Sequence, residues 1–210
     1  MKQFLFSLSL LALTLTVHAQ PVAHYFTQMP AEMIPGITID TRKDLIDFFT
    51  NGKLAVMPAA FGGKVQLKAL GEDYLLLQTS ESSDMQIKIL HPNDSLRVLA
   101  VVQTVAGPFR DSRVKFFDTS WKPLKEWNMP IFSVKDFIDF QKAADLGLTD
   151  RIHEIGPRLF VTITFKPNEN AFSAVSSLKE DMEKAQSEKL GALVRDSVVY
   201  RLSNNRFLAE

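Results

Sequence analysis

The chain has 210 residues, of which 46% are hydrophobic and 23% charged, a composition typical of a globular protein with one or two domains. Its 24 basic and 24 acidic side chains cancel, which argues against a nucleic-acid binder, because such proteins carry a basic excess or stripe. Cysteine is absent, and this excludes disulfides, thiolate chemistry and metal sites built on cysteine.

The first nineteen residues have the three parts of a secretory signal. Lys2 supplies a basic start, residues 4–17 form an apolar run, and Ala19 ends a Val-His-Ala triplet typical of a cleavage site. The run is shorter than the roughly 20 residues that a membrane-spanning helix needs, and no later run reaches that length. We therefore expect residues 1–19 to be a signal peptide and residues 20–210 to be exported, to the periplasm or the medium, without a transmembrane segment.

The segment after the signal predicts two helices of different length. Three prolines restrict the first to about residues 22–29, because proline disfavours helix at the residue before it. Thr41 is followed three residues later by Asp44, and an apolar stripe then runs to Gly52. This arrangement of a cap, a stripe and a terminal glycine predicts a helix over 41–51.

Alternation of apolar and polar residues then predicts an antiparallel meander of five or six strands. Residues 64–70 and 85–90 each place apolar side chains on one face and polar ones on the other, as in a sheet with one face in water. Residues 71–73 predict a hairpin turn. Residues 96–105, which are nearly all apolar, predict a central strand covered on both faces, and residues 113–118 predict the next strand.

Residues 131–210 predict a second, shorter helix-plus-sheet unit after a first unit at residues 20–130. Its helix begins at a Ser133 cap and ends at Gly147, and a helical turn follows at 149–155. The remaining elements are strands at 158–166, 171–178 and 197–202, with an exposed charged helix at 179–190. The two units are also compatible with one compact domain.

The openings of the two longer predicted helices are alike. TRKDLIDFF at 41–49 and SVKDFIDFQ at 133–141 are identical at five of nine positions. Two explanations remain open, a tandem repeat and the convergence of capped amphipathic helices on few residue types. The predicted fold class is therefore α+β, with amphipathic helices on antiparallel meander sheets and a tandem of two helix-plus-sheet units as one possible arrangement.

No metal or cofactor motif is complete. The histidines after the signal, His24, His91 and His153, are each more than sixty residues from the next, and His153-Glu154 is not followed by a second histidine because Pro157 stands there. Gly62-Gly63-Lys64 resembles the end of a phosphate-binding loop, but Val65 replaces the hydroxyl residue that would bind magnesium. The glycines instead predict a turn with positive φ, and we expect neither a metal nor a cofactor.

No nucleophile or acid–base pair can be identified from spacing either. Asp111-Ser112 and Asp118-Thr119-Ser120 place carboxylates beside hydroxyls, and we interpret them as strand-end and turn residues that bond their own backbone. A glycosidase-like pair of carboxylates would be brought together by the fold, so the sequence names no catalytic residue.

Trp121 and Trp127 are the candidate binding residues. They bracket a charged, proline-containing segment between the two predicted units. Exposed tryptophans of this kind form platforms for sugars or peptides. The alternative, which we favour, is that both rings fill the seam between sheet and helix.

The chain resembles a secreted bacterial family known as domain of unknown function 3256. The resemblance rests on six segments in the first half of the mature chain: residues 29–38, 42–49, 62–70, 73–80, 88–95 and 111–124. It implies an exported α+β protein and no established activity. No catalytic residue can therefore be transferred from it.

We expect the protein to be a non-catalytic module of the cell envelope that binds a protein, peptide or glycan. The alternative is a hydrolase of envelope or other polymers whose carboxylates are assembled by the fold. A purely structural envelope protein is a third hypothesis. An enzyme needs a deep pocket with facing ionisable groups, whereas a binding module needs an open apolar or aromatic face.

Overall fold

Two antiparallel sheets hold ten strands between residues 56 and 209. The computed structural model describes residues 21–60 and 62–210, so the predicted signal peptide lies outside the described residues. Within them the strands are β1 (Val56–Pro58), β2 (Lys64–Leu70), β3 (Tyr74–Ser80), β4 (Ser83–Leu90), β5 (Val98–Ala106), β6 (Arg110–Phe117), β7 (Val161–Phe165), β8 (Ala171–Ser176), β9 (Val198–Ser203) and β10 (Arg206–Ala209). The α-helices are α1 (Val22–Gln28), α2 (Ile39–Thr50), α3 (Phe140–Asp145), α4 (Leu178–Asp181) and α5 (Lys184–Leu190).

The first sheet is a meander in chain order from β1 to β6, and the second is a meander from β7 to β10. Both orders confirm the predicted α+β class with antiparallel meander sheets. The loop before β2 contains Gly62 and Gly63 at φ 90° and 79°, which confirms the predicted turn with positive φ.

The first sheet is covered on both faces. Leu75, Ile87 and Leu99 are among the residues of one face and pack with Phe26 of α1 and Leu45 of α2 in one buried cluster. The other face carries a second cluster, which joins β4, β5 and β6 to residues of the second sheet. The molecule therefore has three layers, in the order helices, six-stranded sheet and four-stranded sheet.

This layering overturns the expectation that β4 has one face in water. The alternation of residues 85–90 places Gln86 and Lys88 on the face predicted to be in water, yet both are buried because the second sheet covers them. The wet face is present in β2, where Lys64 and Lys68 are exposed. A register shift between Leu67 and Ala69 also turns Ala69 toward the second sheet, away from the face it was predicted to share with Leu67.

Helix α2 begins earlier than its predicted start at residue 41. The hydroxyl of Thr38 accepts a hydrogen bond from the Thr41 N–H at 3.2 Å and so caps the helix. Arg42, which is buried, donates through Nη1 to the carbonyl oxygens of Phe26 at 2.9 Å and Met29 at 2.6 Å. These bonds fix the end of α1 against α2.

The second long helix, predicted from 133 to 147, is interrupted. The Ser133 and Asp136 cap is present but leads into a short 3₁₀ turn at 134–137. The chain is then extended, because Ile138 pairs with Val194 and the Asp139 N–H donates to the Leu193 carbonyl. Asp139 caps α3 anew, so the two similar sequence segments adopt different structures.

The later elements match the prediction in kind and differ in extent. The helix expected at 179–190 is divided into α4 and α5, because Met182 and Glu183 have extended backbone angles. Strand β10 was not predicted, and it follows a turn in which Asn204 and Asn205 have positive φ. Within 21–60 and 62–210, no helix has the length and apolarity needed to cross a bilayer.

Candidate functional site

The last strand of the first sheet, β6, lies beside the first strand of the second sheet, β7, and both are edge strands. The outer edge of β7 is occupied by side chains of the first sheet. Asp111 Oδ1 accepts from the Val161 N–H at 3.2 Å, and Ser112 Oγ accepts from the Ile163 N–H at 3.0 Å. The edge that would otherwise be available for another strand is thereby closed.

Gln86 completes this closure from the middle of the first sheet. Its Oε1 accepts from the Phe165 N–H at 3.0 Å, and its Nε2 donates to the Ile163 carbonyl at 2.8 Å. The side chain is 4% exposed, so both groups would be buried and unpaired without it. Gln86 thus acts as a substitute for one residue of a neighbouring strand.

These contacts correct the expectation for Asp111 and Ser112, whose side chains bond β7 and not their own backbone. Asp118 behaves as predicted, since its Oδ1 accepts from the N–H groups of Ser120 at 2.8 Å and Lys122 at 2.9 Å. The prediction that these carboxylates bond their own backbone is therefore confirmed at Asp118 and wrong at Asp111.

The outer edge of β6 is only partly occupied. The Phe116 carbonyl accepts from the Leu124 N–H at 2.9 Å, and the Arg110 carbonyl accepts from the Thr162 hydroxyl at 3.4 Å. Alternate residues of a strand point their backbone groups the same way, so those of Ser112 and Val114 also point outward. In the described part of the chain no side chain hydrogen-bonds the backbone of Val114.

A cleft of about 1110 Å³ follows this edge, between β6 and the crossing segment, which we define as residues 123–132. Its apolar wall includes Val114, Phe116, Trp127 and Phe132. Phe132 is fixed from behind by edge-to-face contacts with aromatic rings of the second sheet, at 5.5 Å from Tyr200 and 6.4 Å from Phe172 between centroids. The wall is consequently anchored in the core.

The cleft is predominantly cationic. Arg113 and Lys115 on β6 and Lys125 on the crossing segment line it, and all three side chains are exposed. Among residues 21–60 and 62–210 they form no ion pair. Glu32 is the one carboxylate among the lining residues that the structure describes. The cleft therefore lacks the two facing carboxylates of a glycosidase.

The two candidate tryptophans lie in different buried clusters. Trp121, at φ 64°, packs with Phe117 on the helix side of the sheet, and its centroid is 5.6 Å from that of Phe117. Trp127 packs with Phe116 on the side of the second sheet, also at 5.6 Å. Each is 8% exposed, so they do not form a shared platform, although Trp127 contributes to the cleft.

A buried ion pair lies at the β3–β4 end of the sheet interface. The ammonium group of Lys88, whose side chain is fully buried, donates to Asp73, and Asp73 also accepts from the Asn168 N–H at 3.1 Å. Burial lowers the pKa of Lys88, and the hydrogen bond and charge of Asp73 oppose this. Burial, and secondarily the charge of Asp84, raises the pKa of Tyr74 to about 12. Asp73 therefore links the first sheet to the turn between β7 and β8, and Lys88 neutralises its charge.

The histidines do not assemble into a site. The backbone N–H and carbonyl of His91 are bonded by the Asn170 side chain, and the pKa of His91 is lowered by burial and then by the charge of Arg97. The ring of His153 contacts the Asp150 carbonyl in a local turn. Over the described ranges, no three His, Asp or Glu side chains are grouped so as to hold a metal ion.

Sequence reasoning missed Gln86, which closes the edge of β7, and the cations Arg113 and Lys115, which line the cleft. The alternation in residues 85–90 places Gln86 on the face predicted to be in water, and the pattern of residues 113–118 assigns no role to Arg113 or Lys115. One signal was available, because cations that alternate along a strand are typical of an exposed sheet edge.

Comparisons with known proteins place the chain among proteins without a described activity. A family model described as "Protein of unknown function (DUF3256)" matches residues 14–207, which includes the second half of the chain. A solved structure of a domain of an uncharacterized protein from Porphyromonas gingivalis W83 is similar, with a TM-score of 0.68 and 25% identity over 90% of this chain and 97% of that chain. No curated protein matches significantly.

Proposed function

The chain belongs to the DUF3256 family of proteins of unknown function, and we propose that it binds an extended polypeptide segment as an added strand at β6. The observation that carries the proposal is the cleft along the open edge of β6, beside Val114. An extended segment there would exchange main-chain hydrogen bonds with the edge and place alternate side chains in the cleft.

A comparison of the four edge strands, β1, β6, β7 and β10, supports β6 as the binding edge. Exposed edges invite unwanted pairing, and proteins keep them short or cover them. Strands β1 and β10 have only three and four residues, and the outer edge of β7 is closed by side chains. Strand β6 has eight residues, and its middle is open to the cleft. It is the edge on which a partner strand would have room.

The size and lining of the cleft favour a polypeptide over the other ligands considered. Small-molecule pockets typically measure about 300–1,000 Å³, and this cleft of about 1110 Å³ is larger and open along one side. A glycan platform needs exposed aromatic faces, whereas Trp121 and Trp127 are both buried. A ligand that binds through its backbone, as an extended polypeptide does, fits the long open cleft and the outward backbone groups of β6.

The experiment compares two substitutions at Val114. Peptides are selected from a displayed library of random decapeptides on the 20–210 protein, and their affinities are measured by fluorescence anisotropy. Val114→Pro removes the outward N–H and should weaken binding by roughly 5- to 150-fold, since a lost hydrogen bond in a desolvated interface costs about 1–3 kcal/mol. Val114→Ala retains the N–H and should change affinity far less.

Urea unfolding of both variants shows whether the sheet remains intact, and the comparison is restricted to variants that unfold cooperatively. Selected peptides that bind Val114→Pro as tightly as the wild type would exclude strand addition at this edge. Failure to select any binding peptide would refute the proposed function itself.

We also propose that the protein is exported, on the basis of the signal-like pattern of residues 1–19. Full-length protein produced in a bacterium with an outer membrane should be recovered from the periplasm or medium with Gln20 at its N-terminus. Removal of residues 1–19 should leave the protein inside the cell. A cytoplasmic product that retains these residues would contradict export.

A further inference from the structure

We infer that the bound segment alternates acidic and apolar residues, an inference that rests on strand addition at β6 as proposed above. The two faces of the open edge differ sharply in chemistry. The arginine and lysine of the edge lie on one face, and apolar side chains lie on the other. An added strand has the same alternation, so its two faces must satisfy these two environments.

The cationic face consists of Arg113 and Lys115. They are two residues apart on β6, pair with Gln103 and Val101 of β5, and therefore project on the same side of the sheet. Side chains at this spacing lie about 7 Å apart along a strand. Carboxylates placed at every second residue of an added strand would fall beside both cations.

The three cations of the cleft are available to a carboxylate from outside the chain. Arg110, Arg158 and Arg201 pair with carboxylates of the same chain, whereas the exposed Arg195 and Arg206 and most exposed lysines resemble the cleft cations in forming no ion pair within the described residues. Arg113, Lys115 and Lys125 have no such partner among residues 21–60 and 62–210. The opposing charge in the cleft is Glu32, so the lining carries three positive charges against one negative charge.

The apolar face is supplied by Val114 and Phe116 of β6, together with Trp127 and Phe132 of the crossing segment. Side chains of an added strand that project toward this wall would leave water for an apolar surface, which favours aliphatic or aromatic residues there. The ligand class is thus an extended segment of the pattern apolar–acidic–apolar–acidic, engaging residues 112–115.

Charged residues on an edge strand also have a simpler role, which is to prevent pairing between copies of the protein. Under that role Arg113 and Lys115 would repel other chains and would recognise no ligand. The two roles predict different results when the charges of Arg113 and Lys115 are removed. If the charges protect the edge, the protein should self-associate. If they recognise a ligand, the protein should lose its preference for acidic peptides.

The test uses three labelled nonapeptides that alternate valine with Glu, Gln or Lys, measured by fluorescence anisotropy on the folded 20–210 protein. We expect the Glu peptide to bind roughly three- to twenty-fold more tightly than the Gln peptide, as two or three exposed charge pairs would produce, and the Lys peptide to bind most weakly. The preference should shrink as salt rises from 0.05 to about 0.3 M, because salt screens exposed charges.

Two variants locate the effect. The double variant Arg113→Gln with Lys115→Gln should bind the Glu and Gln peptides equally, while retaining the affinity of the wild type for the Gln peptide. Glu32→Gln removes the opposing charge and should strengthen binding of the Glu peptide by about two-fold. Sedimentation of the double variant measures self-association in parallel.

The outcomes separate the inference from the proposed function. Equal binding of the Glu and Gln peptides to the wild type, with both sensitive to Val114→Pro, would overturn the acidic preference and leave strand addition standing. Self-association of the double variant without any change in peptide preference would assign the cations to edge protection and also overturn the inference. Binding of none of the three peptides, when the library yields binders that depend on Val114, would reject this ligand pattern alone.

Discussion

Strands β6 and β7 are neighbouring edges of the same molecule, and their backbones are treated in opposite ways. The N–H groups of Val161, Ile163 and Phe165 on β7 all donate to side chains of the first sheet. The outward groups at the middle of β6 face a cleft. The comparison teaches that side chains can take the place of a neighbouring strand along an edge, as they do at β7, whereas at β6 the Thr162 hydroxyl bonds the Arg110 carbonyl at the start of the strand and the middle faces the cleft.

The largest expected effect comes from breaking the closed edge at its centre. Gln86→Leu removes both hydrogen bonds to β7 and leaves the Phe165 N–H and the Ile163 carbonyl buried without partners. We expect a loss of about 2–5 kcal/mol in the free energy of unfolding, measured in urea, since each unpaired buried group costs about 1–3 kcal/mol.

Gln103→Leu on the adjacent strand β5 is the matched control, because Gln103 is exposed. Its effect should stay within about 0.5 kcal/mol. If the two leucine variants were equally stable, Gln86 would have no role in closing β7.

A pH effect of intermediate size is expected from Tyr74, which lies in the cluster between the sheets. Its pKa is raised to about 12 in the folded protein, so the unfolded chain loses this proton first. The stabilisation that results from this pKa shift is complete below pH 10, and it declines as the pH rises from 10 toward 12. The difference in unfolding free energy between wild type and Tyr74→Phe should change over that window by on the order of 2 kcal/mol. A difference that is constant from pH 9 to 12 would contradict this.

The smallest effect on stability is expected at Ser112, the residue that contributes to both edges. Ser112 closes β7 with its hydroxyl, which also bonds Thr104 at 2.8 Å, while its own backbone faces the cleft. Ser112→Ala should cost about 1 kcal/mol in unfolding free energy and leave peptide binding at β6 unchanged. Ser120→Ala, at an exposed turn, serves as the control and should have no measurable effect.

The first sheet was predictable because its alternation is local. Residues 64–70 and 85–90 carry the period of a strand in their own sequence, and the meander follows from short turns such as 71–73. The interruption before α3 was not predictable, because it depends on pairing of Ile138 with Val194, more than fifty residues later in the chain. Capping signals indicated where a helix could begin and carried no information on where a bridge to a distant residue would end it.

The closed edge of β7 was hidden from sequence reasoning for the same reason. Gln86 lies 77 residues from Ile163, and nothing in the alternation of β4 distinguishes a polar face in water from one covered by a second sheet. Lys88 was misassigned to the wet face on the same pattern, although its side chain is fully buried. A polar residue on an alternating strand indicates a face, and the fold decides what covers that face.

The separation of the two indoles has a practical consequence for spectroscopy. Trp127 borders the ligand cleft, whereas Trp121 lies across the sheet in the helix-side cluster and does not line that cleft. A Trp121→Phe protein excited where only tryptophan absorbs would therefore report from a single indole, at the edge where an added strand would bind. Occupancy could then be followed without attaching a dye to either molecule.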